Sequence, residues 1–114
     1  MKTSIIKEKS FAFALRIIAL ARYLWDQREY ELAAQVLRSG TGIGSNVEEA
    51  LAGVSRADFA ARMGIASREA RETHYWLRLL GDSQLLAEPR LKPLRDECLE
   101  IVRILTAIVK TSRQ

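Results

Sequence analysis

Few side chains in this sequence could do chemistry. Glu49, Glu69 and Glu72 are the acids that helical spacing sets beside core-facing stripes. Three carboxylates are raw material for a metal centre in a helical bundle, where several Glu are joined by Glu-x-x-His pairs. No such pair exists here, because the four residues before His74 read Ala70-Arg71-Glu72-Thr73. Arg38 shares a flank with Glu49 and would repel a cation. Ser39, Thr41 and Ser45 carry hydroxyls with no histidine at helical spacing to activate them. Cys98 is the single cysteine, so no internal disulfide can form, and one Cys with one His does not make a structural zinc site. We therefore expect no catalytic residues, no metal, no cofactor and a protein that is not an enzyme.

Gly40-Thr41-Gly42-Ile43-Gly44 has the composition of a phosphate-cradling loop. A P-loop ends in Gly-Lys-Ser/Thr after a strand, and a dinucleotide loop needs its third glycine three residues after the second. This stretch has neither the lysine nor a preceding strand pattern. At 100° per residue, Leu32, Val36, Ser39, Ile43, Val47 and Ala50 share one face, which is a helix pattern. Each glycine costs a helix interior about 1 kcal/mol relative to alanine. Close approach of a neighbouring helix along Ala33, Ser39, Gly40 and Gly44 would offset that cost.

The remaining polar residues suggest binding rather than catalysis. Gln35, Arg38, Asn46 and Glu49 flank the core face of the second predicted helix, and Glu69 and Glu72 flank that of the third. We expect a polar network across these helices, with Arg38 pairing to one or more of Glu49, Glu69 and Glu72; such networks fix alignment more than they stabilise. Arg56, Arg71, His74 and Arg78 fall within about 60° of one another on the third helix, with Arg68 nearby. This basic face is the candidate for contact with RNA or DNA phosphates.

Four amphipathic segments must position these groups. The chain has 114 residues, 48% of them hydrophobic and 7% aromatic, which suits one all-α domain over residues 1–114. The first helix should begin with Ser4 as N-cap and bury Ile6, Ser10, Phe13, Ile17, Leu20 and Leu24. Trp25 to Tyr30 forms a short connection, and the second helix should end on Gly53 as a left-handed cap. Ser55 opens the third helix, Gly81-Asp82 closes it, and Pro89 suits the first turn of the fourth. Cys98 falls on the apolar stripe of that helix as a small buried hydrophobe. Short connections favour an antiparallel up-down-up-down four-helix bundle.

Phe11, Leu15 and Ile18 form a second apolar stripe on the first helix, and Trp76 widens that of the third. One buried face does not cover them, so they are candidates for an interface between subunits. The net charge of +4, from 18 basic and 14 acidic residues, permits an anionic partner without requiring one. No apolar run approaches the length of a membrane span, and the N-terminus lacks a signal-like run. A cytoplasmic location is the expectation.

Several motifs together resemble a known family. They are Lys9 to Ala14, Gln35 to Ala50, Ser55 to Phe59 and Ser67 to Leu80. They resemble the four-helix-bundle proteins encoded in intervening sequences of bacterial 23S ribosomal RNA genes. Gly42 and Gly64 depart from the pattern, which has Ser or another larger residue there, and the fourth helix matches in pattern alone. The resemblance implies a homopentamer around a central channel, which would cover the second apolar stripes. The chain is also similar to the accessory protein of diversity-generating retroelements, a pentameric bundle that binds nucleic acid and a reverse transcriptase. We expect a non-enzymatic nucleic-acid-associated module or, as the alternative, an adaptor for a protein partner such as a reverse transcriptase without nucleic-acid contact. The resemblance carries no catalytic residues.

Overall fold

The computed structural model describes residues 2–113. Its four helices are α1 (Lys2–Asp26), α2 (Tyr30–Leu51), α3 (Arg56–Asp82) and α4 (Glu88–Ser112). The core-facing residues are those that the 3.6-residue period selects. Ile6, Phe13, Ile17, Leu20 and Leu24 of α1 meet Val36, Ile43 and Val47 of α2, Met63, Leu77 and Leu80 of α3, and Leu94, Ile101 and Leu105 of α4 in one core. α1 and α3 each pack on α2 and α4, while the diagonal pairs keep their backbones apart.

The glycines of α2 are packing residues. A Cβ added to Gly40 would lie 2.6 Å from Ile17 Cγ2, and one on Gly44 would lie 3.4 Å from the Ser10 carbonyl oxygen, both on α1. Gly42 faces the other neighbour, where an added Cβ would lie 2.7 Å from Glu69 Oε2 on α3. So α2 is thinned on two sides, and the helix stays continuous through all three positions.

Buried polar groups are paired within this core. The hydroxyls of Ser39 and Thr73 are hydrogen-bonded at 2.9 Å across α2 and α3, and Thr73 also donates to the Glu69 carbonyl at 2.8 Å. Cys98 donates its thiol to the Ala70 carbonyl at 3.3 Å. Burial, with the Glu97 charge adding, pushes that thiol up to about 12. Among the described residues, every buried side-chain nitrogen and oxygen has a partner.

The helix ends differ from the sequence expectation in three places. α1 begins at Lys2, so Ser4 lies inside its first turn and does not cap it. No Pro or Gly precedes Ser4, and continuing a helix through Ser costs only a few tenths of a kcal/mol. α2 ends at Leu51 with Ala52 in right-handed conformation, and Gly53 has no positive φ. Among the described residues, the left-handed ones are Arg28 and Gln84, both at φ 65°. Each closes a helix by a Schellman motif. Arg28 N–H donates to Trp25 and Glu29 N–H to Leu24, while Gln84 N–H donates to Gly81 and Leu85 N–H to Leu80. The first connection is accordingly only Gln27 to Glu29, because α1 runs on through Asp26. Ser55 does cap α3, accepting the Asp58 N–H at 3.0 Å.

Candidate nucleic-acid interface

Arg38 stands on the exposed seam between α2 and α3. Its guanidinium donates to Glu69 Oε2 at 3.3 Å, to Gln35 Oε1 at 3.2 Å and to Glu72 Oε2. Glu72 Oε2 also accepts the Trp76 indole N–H at 3.0 Å. The other two residues of the expected network stand apart. Asn46 donates to the Gly42 carbonyl of its own helix at 2.8 Å. Glu49 lies eleven residues from Arg38, about 16 Å along α2, and makes no ion pair among the described residues. The three acids thus do not converge, and a cation occupies the space between the two that approach. Among the described residues, no group of three or more His, Cys, Asp or Glu could hold a metal.

This network sorts charge on α3. Between Asp58 and Asp82 the helix carries two acids, Glu69 and Glu72, and both turn toward Arg38. The side of α3 that faces α4 is left basic. A shallow groove there is lined by Gly64, Ser67, Arg68, Arg71, Lys110 and Arg113 among others, with no acid in its lining. Gly64 keeps its floor open, since a Cβ there would meet only Arg113 Nη2, at 3.5 Å. Arg68, Arg71, Lys110 and Arg113 are exposed and have no ion-pair partner among the described residues.

The basic residues of α3 do not form one compact patch. Helical rise spreads Arg56 and Arg78 about 33 Å apart along the axis. Arg56 lines a different groove, with Val54, Phe59 and Ile108 at one end of the helices. Arg78 lies over the Tyr75 ring, 5.9 Å from its centroid. His74 is half-buried. Burial, then the Arg78 and Arg95 cations, hold its pKa below the ordinary 6.5, which disfavours the imidazolium that a phosphate contact would use. Arg68 and Arg71 are joined instead by Lys110 and Arg113 from the C-terminal end of α4. One signal was legible: α4 carries no acid after Glu100.

The family model for 23S rRNA-intervening sequence proteins matches residues 2–107. The chain belongs to that family. The chain is similar to a crystal structure from Bacteroides thetaiotaomicron, described as a protein of unknown function from the S23 ribosomal protein family. The two are 40% identical, with 96% of this chain and 99% of that one covered and a TM-score of 0.92. Among curated proteins, none matches.

The remaining site residues of this family member lie on another face. Phe11 is 63% exposed and Leu15 57%, while Ile18 is half-buried. Ile18, Trp25, Ala34 and Leu37 line a shallow apolar groove between α1 and α2. Trp76 is set apart from them, half-buried and lining a separate depression with Glu31, Leu32 and Gln35. No described helix is long and apolar enough to cross a membrane.

Proposed function

We propose that this protein is a non-enzymatic, cytoplasmic, oligomeric bundle that binds RNA or DNA through the groove between α3 and α4. The observation that carries the reading is the meeting of Arg68 and Arg71 with Lys110 and Arg113 in one lining without an acid. Phosphate backbones supply most nucleic-acid affinity, and unpaired cations on one face are what they engage. The family match supports the setting only through its name, and the structural relative is itself of unknown function.

The four helices form one antiparallel up-down-up-down domain over residues 1–114. Two contact series and one single contact support this. Gly40 and Gly44 meet Ile17 and Ser10, Ser39 meets Thr73, and Cys98 meets Ala70 while Gly81 meets Leu91. In the first and third, residue numbers rise on one helix as they fall on the next. The exposed Phe11, Leu15, Trp25 and Leu37 support burial against other subunits, and the family resemblance implies five.

The test is fluorescence anisotropy with labelled structured RNA and duplex DNA at 50 and 200 mM salt (about the range over which phosphate contacts weaken steeply). The Arg68→Glu, Arg71→Glu, Lys110→Glu variant is the control. Salt-sensitive binding that the variant loses supports the reading. No binding at low salt by the assembled protein overturns it. The second reading is an adaptor for a protein such as a reverse transcriptase. It is favoured by the same apolar face on α1 and α2 if that face stays exposed in the oligomer.

A further inference from the structure

Tyr75 has no part in the core or in the Arg38 network's hydrogen bonds, yet it is a large aromatic left 46% exposed. It lies one turn beyond Arg71, so the two share a face of α3, about 6 Å apart along the axis. Its ring is braced. Trp76 meets it edge-on, with centroids 5.1 Å apart and planes at 66°. Trp76 is tethered through its N–H to Glu72, and Glu72 is bound by Arg38. The Arg78 guanidinium lies over the ring, 5.9 Å from its centroid. The arrangement is an oriented, exposed aromatic set along α3 between Arg71, which lines the groove, and Arg78, which lies over the ring.

We infer that Tyr75 is a stacking platform for an unpaired base of the nucleic acid whose phosphates the groove engages. The inference rests on the proposed binding function. An aromatic ring flanked by arginines is the element by which proteins hold single strands, because every base offers a π-face and the cations follow the backbone. Bases inside a duplex are stacked on one another and present no face to a tyrosine, so the platform selects unpaired nucleotides. The axial step from Arg71 to Tyr75 is comparable to the separation of a phosphate from the base it carries. The other exposed aromatics do not repeat this setting: Trp25 and Tyr30 pack on each other at 4.5 Å, and Phe11 stands in the apolar stripe of α1.

The experiment uses the full chain and one oligonucleotide labelled with 2-aminopurine, as a single strand and as its duplex. Wild type, Tyr75→Ala, Tyr75→Phe and the Arg68/Arg71/Lys110 variant are compared. Tyr75→Ala should weaken single-strand binding about tenfold, the scale of one lost stacking contact. Tyr75→Phe should bind like wild type, and duplex affinity should shift by less than about twofold in either. Binding should quench 2-aminopurine emission with wild type and Tyr75→Phe, and not with Tyr75→Ala. Equal losses on single strand and duplex, or unchanged single-strand binding by Tyr75→Ala while the basic variant loses it, would overturn the platform alone. A change of oligomeric state in Tyr75→Ala would also overturn it, placing Tyr75 in a subunit contact. Failure of wild type to bind either form overturns the proposed function and the platform together.

Discussion

Arg38 on α2 and Glu72 on α3 form an ion pair, and the carboxylate oxygen that accepts from Arg38 also accepts the Trp76 indole N–H. Glu69, one turn before Glu72, is held by the same guanidinium. Removing Arg38 leaves two acids at i and i+3 facing each other without a cation, and like charges at that spacing repel. Arg38→Met should destabilise the fold by about 1–2 kcal/mol, since the network is half exposed and screened by water. A double-mutant cycle with Glu72→Gln, followed by urea unfolding, should return a coupling of about 0.5–1 kcal/mol. Additive effects would show that the pair holds nothing together.

The glycines of α2 and α3 are expected to respond with opposite signs. Gly40→Ala forces a methyl against Ile17, which is itself wholly buried in the core. Overpacking of this kind costs about 1–3 kcal/mol, more than the ~1 kcal/mol of helix propensity gained. An added methyl on Gly64 meets only the tip of the Arg113 side chain at an ordinary contact distance of 3.5 Å, so Gly64→Ala should stabilise by about 1 kcal/mol. Urea midpoints at unchanged slope decide both.

Arg28 and Gln84 occupy left-handed positions where side chains are strained. Glycine at either site keeps the Schellman hydrogen bonds and relieves the Cβ clash. Arg28→Gly and Gln84→Gly should each stabilise by about 0.5–1 kcal/mol, offset in part by the freer unfolded chain. Thermal unfolding of the single and double variants tests this. Gly53→Ala has a different expectation, because φ there is not positive: its added Cβ meets the Asp58 carboxylate, so any loss comes from that contact and not from backbone strain.

His74 makes stability depend on pH in one direction. Its folded pKa is held below 6.5 by burial and by Arg78 and Arg95. As pH falls through 6.5 the unfolded chain takes up the proton first, so folding stability declines below that pH and is full above it. His74→Gln should flatten this part of the pH profile between pH 7 and the lower folded pKa. A profile that falls equally in both proteins would remove the histidine as its cause.

The helices and their buried faces were legible because both are local. A 3.6-residue period names the residues that share a face, and Ile17, Val36, Leu77 and Ile101 are buried as that period requires. The glycines read correctly as a close-packing surface for the same reason. Ends were less legible. Gly53 carries the sequence mark of a left-handed cap, but hydrogen bonds from Arg28, Glu29, Gln84 and Leu85 decide where the chain turns left-handed.

What the sequence alone determined is the all-α character, the four helical faces and the family resemblance, since each rests on neighbours along the chain. The rotation and level of one helix against another were decided only by the tertiary structure. A projection of α3 places Arg56 and Arg78 at one angle and hides the axial distance between them. No periodicity relates Arg68 to Lys110 or Arg38 to Glu72, which are separated by more than 30 residues of intervening chain. They meet because the core fixes how the helices pack, and that packing divides α3 into an acid-bearing side held by α2 and a basic side shared with α4.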